Sequence, residues 1–201
     1  MRTLAIGFGL LVGLAVVVAL WAGGTYNSLV RLDQGVQAQW GQVENVYQRR
    51  ADLVPNLVET VKGAAAFEKD TFTQVAQARS QVGQLSPQAL ESATRDPAAF
   101  QRFQQAQDAL SSALARLLVV TERYPQLRAT ESFRTLQAQL EGTENRIAVE
   151  RMRFNEAAQA FNTRRNSFPA VLVAGFFGSR FAEKTYFKAQ PGAEKTPAVQ
   201  F

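Results

Sequence analysis

The sequence predicts an all-α protein, an N-terminal transmembrane helix followed by an antiparallel bundle of four long helices. Three observations carry this expectation. An uninterrupted apolar run, Leu4 to Ala22, opens the chain. Beyond it apolar residues recur at spacings of three and four, and almost nothing in residues 25–168 alternates with period two. Prolines punctuate that helical pattern, with Ser86-Pro87 and Asp96-Pro97 as starts and Tyr124-Pro125 and Phe168-Pro169 as stops.

A chain of 201 residues accommodates one soluble domain plus appendages. Hydrophobic residues make up 46% and charged residues 19%, a balance that excludes both a fully disordered chain and a polytopic membrane protein. There is no cysteine, so disulfides, thiol nucleophiles, thiolate metal sites and lipoprotein acylation are excluded. There is no histidine either, which removes the Ser-His-Asp triad, histidine zinc motifs and an imidazole acid–base switch. The net charge of +5 is spread thinly. Residues 25–178 hold 17 cations against 15 anions, interleaved along the helices. No nucleic-acid-binding face follows from that pattern.

Leu4 to Ala22 carries no charge, and the uncharged window extends from Thr3 to Val30. About 20 apolar residues suffice to cross a bilayer as a helix. Trp21 and Tyr26 stand where interfacial aromatics belong. The competing reading is a cleaved signal peptide, with Arg2 as its basic flank and Ala22-Gly23-Gly24 as the cleavage site. The run exceeds the usual apolar core of about 7–15 residues in such peptides, which favours a retained single-pass anchor in the cell membrane. Arg2 on one side and Arg31 on the other leave the orientation, and so the side of the soluble domain, open. The expected organisation is an anchor at 1–24, a bundle at 25–178 and a C-terminal tail at 179–201.

Helix one shows Leu29, Leu32, Val36, Trp40, Val43 and Tyr47 on its stripe and can continue directly from the anchor. Asp52 reads as an N-cap for helix two, with Pro55 in its first turn and Leu57, Val61, Phe72 and Val75 on its apolar face. Between Gly83 and Pro97 the pattern fails, and a loop with a short helix is expected there. Helix three starts near Pro97 with Phe100, Phe103, Leu110, Leu114 and Leu117. Helix four has Phe133, Leu140, Ile147, Phe154, Phe161 and Phe168 spaced seven apart. Such heptads serve a coiled-coil homo-oligomer or a seam within one bundle, and four helices in one chain favour the seam. Val171 to Phe177 is apolar but too short to span.

Chemistry-bearing residues are few. Glu144 and Glu150 on helix four could form an acid–base pair or half of a carboxylate metal site. The usual di-metal pattern needs histidines that are absent, so neither a catalytic residue nor a cofactor or metal is expected. Arg49 and Arg50 close helix one. On an up-down-up-down path Arg50 lies about 36 Å above Tyr26, the height reached by counting back from Phe168 to Glu144. An ionic cluster of Arg49, Arg50 and Glu144 is therefore expected at the membrane-distal end. The same path returns Arg164, Arg165, Arg180, Lys184 and Lys188 to the bilayer, opposed there only by Glu183. Basic residues around an apolar segment suit an anionic leaflet. The alternative is that Phe176 and Phe177 cap the bundle and the cations are merely solvated.

Two stretches carry a family resemblance. The first is Tyr26-Asn27-Ser28-Leu29-Val30, Trp40 and Gln48-Arg49-Arg50-Ala51-Asp52-Leu53-Val54-Pro55-Asn56-Leu57-Val58, continued by Val75 and Ala78-Arg79. The second runs from Tyr124-Pro125 through Phe133 and Thr143-Glu144-Asn145-Arg146-Ile147-Ala148 to Arg151, Phe154-Asn155, Phe161-Asn162 and Phe168-Pro169. With the ending Pro197-Ala198-Val199-Gln200-Phe201, this pattern resembles the LemA family over nearly the whole chain. Ala64, Phe67 and Phe154 depart from that pattern. The resemblance implies a bacterial, membrane-anchored helical bundle without a known active site. It also implies membrane peptidases among the neighbours of such proteins. The function expected is a non-enzymatic scaffold or adaptor for a protein partner of unknown identity, the alternative being a regulator of an envelope membrane peptidase.

Overall fold

The computed structural model of the chain describes residues 2–63 and 68–188. Its regular elements there are all helical: α1 Arg2–Lys62, α2 Lys69–Gly83, α3 Pro87–Ala93, α4 Pro97–Thr121, α5 Pro125–Arg128, α6 Glu131–Asn166 and α7 Ala170–Phe176, followed by a 3-10 turn at Gly178–Phe181. The ending Pro197–Phe201, together with Ala64 and Phe67, lies outside the described residues.

α1 is one helix of 61 residues, so the expected break at Asp52 does not occur. Asp52 is not a cap; its carboxylate accepts from Gln48 one turn earlier in the same helix, at 2.8 Å. Pro55 sits in the helix interior. It has no N–H to give the Ala51 carbonyl, and this loss normally breaks or kinks a helix. Here the Arg79 guanidinium, brought over by α2, donates to the Ala51 carbonyl at 3.4 Å. A side chain from the next helix thus takes the place of the missing backbone donor.

The starts of α3, α4 and α6 follow local chemistry. Ser86 accepts from the Ala89 amide, Asp96 from the Ala98 amide and Thr130 from the Phe133 amide, each satisfying a donor that the helix leaves unpaired.

The four long helices run up, down, up and down. Residues rising along α1 meet residues falling along α6, Gln39 with Glu150 and Arg50 with Glu144, so the two helices are antiparallel. α4 runs with α1, Trp40 packing on Phe100 and Phe103 while Arg50 reaches Gln107 and Ser111. α2 returns between them, and Arg123 near the end of α4 pairs with Glu68 just before the start of α2.

The core has two apolar halves. One gathers Leu29, Val36, Trp40, Val43 and Tyr47 of α1 with Phe100 and Phe103 of α4 and Ile147, Phe154 and Phe161 of α6. The other gathers Val54, Leu57 and Val61 with Val75, Leu110, Leu114, Leu117, Phe133 and Leu140. The heptad stripe of α6 is therefore a seam of the bundle, buried from Phe133 to Phe161. Phe168 does not belong to it. α6 ends at Asn166, and the Phe168 side chain is 81% exposed.

Packing begins at Thr25, 2% exposed, and residues 4–20 of α1 stand clear of the bundle. At the other terminus packing extends to Phe187, 6% exposed, so the bundle reaches beyond the expected boundary at 178. The reason is a short extended segment, residues 182–188, that lies back along α6.

Candidate functional site

Two polar clusters interrupt the core. The first lies at mid-height, between the two apolar halves. The Arg50 side chain, 1% exposed, donates through Nη1 to Ser111 Oγ at 2.6 Å and Glu144 Oε1 at 3.0 Å. Through Nη2 it donates to the carbonyl oxygen of Gln107 at 3.0 Å and to its side-chain Oε1 at 2.7 Å. Its guanidinium also stacks 5.0 Å from the Tyr47 ring centroid. One arginine thus ties α1, α4 and α6 at one height, and sliding any helix by a turn would strand a buried charge. The cluster is not at the distal end, because α1 runs on past Asp52 to Lys62 and α6 begins well before Glu144. Arg49 is exposed and takes no part.

The second cluster lies near the end of the bundle from which residues 2–24 emerge, and it was missed in the sequence. Asp33 is completely buried. Its Oδ1 accepts from the Lys184 ammonium at 2.6 Å, and its Oδ2 from Arg95 at 3.2 Å and Arg180 at 3.4 Å. Three separate parts of the chain, the α3–α4 corner, the 3-10 turn and the extended segment, converge on one carboxylate of α1. The signal was present, since Asp33 stands four residues after Leu29 and three before Val36 on the apolar stripe.

Two asparagines hold the extended segment. Asn162 donates to the Lys184 carbonyl and accepts from the Lys184 amide, at 2.9 and 2.8 Å. Asn155 does the same with Phe187, at 2.9 Å for both bonds. The spacing explains why this works. Seven residues on a helix rise about 10 Å, and three residues of extended chain also advance about 10 Å. The segment therefore runs antiparallel to α6 with its backbone read by amide side chains, as a neighbouring strand would read it. Phe181 and Phe187 are buried at either end, Phe187 against Trp40, Phe100 and Phe154. Phe154-Asn155 and Phe161-Asn162 are thus pairs with divided labour, the ring filling the core and the amide binding the strap.

These contacts revise the five cations expected at a membrane surface. Lys184 is not a surface cation, being fully buried on Asp33 with its ammonium 4.8 Å from the Phe161 ring centroid. Burial pulls its pKa below the ordinary lysine value, opposed by the Asp33 hydrogen bond and charge. Arg165 is half-buried and donates to the Phe181 carbonyl at 2.6 Å, while Arg180 reaches Asp33. Lys188 is exposed, but it lies beyond Phe187 on the strap, which leads away from this end along α6. Arg164 is half-buried at the end of α6.

α7 packs Ala170, Val173 and Ala174 inward and turns Val171, Leu172 and Phe176 outward. Phe177 lies 4.7 Å from Tyr26 between ring centroids, which fixes α7 beside the point where α1 leaves the bundle.

For catalysis the arrangement offers little. Glu144 is ion-paired to Arg50, and Glu150 accepts from Gln39 at 2.6 Å and Arg153 at 2.9 Å. Among the described residues no three acidic side chains gather as a metal-ligand set. Burial raises the pKa of Tyr47 above its ordinary value, which keeps that phenol protonated.

Comparison with known proteins places the chain. Magnetosome proteins MamQ 1 and MamQ 2 of Paramagnetospirillum magneticum are each 28% identical to it, over 87% of this chain and 68% of theirs. Magnetosome protein MamQ of Magnetospirillum gryphiswaldense is 27% identical over the same shares. The model of the LemA family matches residues 39–201, which takes in the Arg50 cluster, both asparagine clamps and the strap, and the chain therefore belongs to the LemA family.

Proposed function

We propose that the protein is a single-pass scaffold or adaptor of the cell membrane, with the bundle standing on the bilayer and offering helix faces to a protein partner. The observation that carries this reading is α1. One helix, Arg2–Lys62, is both the apolar segment long enough to cross a bilayer and the central strut of the bundle. From Thr25 to Lys62 the strut is about 57 Å long, so the distal faces of α2 and α4 stand well clear of the headgroups. Polar groups inside the bundle are spent on fixing register and holding the strap, which suits a rigid spacer. The scaffold reading has no reacting group to place.

The test is site-specific photocrosslinking in intact cells from exposed positions on α2 and α4, Gln77 and Gln105. A scaffold gives a discrete crosslinked protein from the membrane fraction at one of these faces. Alkaline washing must leave the full chain in the membrane. A soluble species starting near residue 25 would instead mean that the apolar segment is a signal peptide. A purified full chain that turns over a substrate by itself would replace the scaffold with an enzyme.

A further inference from the structure

We propose that the outer face of α7 is a second membrane contact, inserted into the interfacial layer of the same bilayer that holds residues 4–22. This rests on the reading of those residues as an anchor. Phe168, Leu172 and Phe176 are 81%, 63% and 85% exposed, and Val171 and Phe177 are also open. The inner face of α7 is well packed, with Ala170, Val173 and Ala174 at 0–8%, so the exposure is not loose packing. A helix that is apolar on all sides needs an apolar neighbour on all sides. One face of α7 has the bundle, and the other has nothing among the described residues.

Position names the occupant. Phe177 packs on Tyr26, one helical turn above Ala22, the last residue of the apolar run. The exposed side chains of α7 therefore lie at the level where α1 passes from bilayer to water, continuous with the apolar surface of the anchor. Trp21, 38% exposed, stands at that same level, as interfacial tryptophans do. Arg164 and Arg165, near the end of α6, lie at the same margin, and basic residues there suit anionic headgroups. A segment of seven residues cannot span, but it can lie in the interface with its apolar face down.

The native chain has no cysteine, so single-cysteine variants place one fluorophore each. Leu172→Cys, Val18→Cys and Ala138→Cys are labelled with an environment-sensitive dye in the full chain, in vesicles of phosphatidylcholine and phosphatidylglycerol. All three positions are exposed, so the substitutions leave the core intact, which circular dichroism checks. Brominated phosphatidylcholines then report depth. The expected result is quenching at 172 that is strongest with bromine highest on the acyl chain, quenching at 18 that peaks with bromine about 6 Å further down the chain, and none at 138. Quenching at 18 without quenching at 172 would overturn the proposal and leave the anchor standing. Absence of quenching at both would overturn the anchor as well. A blue-shifted but unquenched label at 172 that reverts as protein is diluted in lipid would show that a second copy covers the face.

Discussion

Asp33 and Lys184 predict an asymmetric pair of substitutions. In Asp33→Asn the carboxylate is lost and the fully buried Lys184 ammonium keeps no anionic partner. Stranding a buried charge costs about 3–5 kcal/mol. Arg95 and Arg180 also lose a partner, but their side chains are 41% and 38% exposed and water replaces it, so each adds about 0–1 kcal/mol. In Lys184→Met the situation reverses. Asp33 keeps both guanidiniums, and the methionine side chain fills the space of the lysine stem, so the loss should be about half as large or less. For a domain of this size 3–5 kcal/mol corresponds to a fall in Tm of about 6–20 °C. The assay is thermal and denaturant unfolding of the full chain in detergent, in a Trp21→Phe background that leaves Trp40 as the sole tryptophan. Trp40 stacks 6.2 Å from Phe187, so its emission also reports release of the strap. The double variant Asp33→Asn, Lys184→Met removes both charges and should recover most of the loss. Equal losses in the two single variants, or a double loss equal to their sum, would refute this account of the cluster.

Other consequences follow from the same geometry. Arg50→Ala leaves the buried Gln107 side chain and Ser111 unpaired and opens a cavity, a loss of about 3–5 kcal/mol, whereas Glu144→Gln keeps a hydrogen-bond acceptor at a 43% exposed position but removes the carboxylate that pairs with the buried Arg50 charge, a smaller loss of about 1–3 kcal/mol; chemical denaturation compares them. Asn155→Ala strips two bonds from the strap and Asn162→Ala three, one of them to the Tyr186 hydroxyl, at about 1–3 kcal/mol per variant, and hydrogen exchange should quicken at the Phe187 amide in the first and at the Lys184 amide in the second. Lys184 and Tyr47 predict opposite pH trends. Lys184 holds its proton less tightly folded than unfolded, so its contribution to stability rises with pH from its depressed value up to about 10.5, and Lys184→Met removes that rise. Tyr47 holds its proton more tightly folded, so stability falls as pH climbs above 10.0, and Tyr47→Phe blunts the fall; unfolding midpoints measured across this range decide both.

The helical class, the apolar segment and the seam of α6 were legible because each rests on a period written along one element. Arg50 and Glu144 could be matched by counting rises along two antiparallel helices, and they lie 3.0 Å apart. Their place in the bundle was misread for one reason: Asp52 and Pro55 carry the marks of a helix start. The donor that lets α1 pass through Pro55 is Arg79, and no local pattern links residues 51 and 79. The strap was illegible for a similar reason. Nothing in residues 182–188 is periodic, and their conformation is imposed by Asn155 and Asn162 on another element. Lys184 looks like any surface lysine until Asp33 is found facing it.

The Asp33 cluster, the strap and α7 behave as one unit because the chain passes through all three in sequence. α6 ends at Asn166, with Arg165 bound to the Phe181 carbonyl across α7, and the segment leaving α7 is pinned at once by Arg180 and Lys184 on Asp33. α7 is thus a short helix tied at both ends, to α6 at one and to α1 at the other. Tying a helix so firmly fixes which face it turns outward, and the face turned outward here is Val171, Leu172 and Phe176. Had solubility alone shaped this end, polar residues at those positions would have left the inner contacts of Ala170, Val173 and Ala174 unchanged. The strap therefore does more than close the bundle. By fixing Asp33 of α1 against the segment that follows α7, it sets the apolar face of α7 at a constant height and rotation relative to the apolar segment of α1. On the proposed reading, in which residues 4–22 anchor the chain and α7 lies in the interface, that fixed relation would constrain the tilt of the bundle as well as its attachment, which a single flexible anchor cannot do.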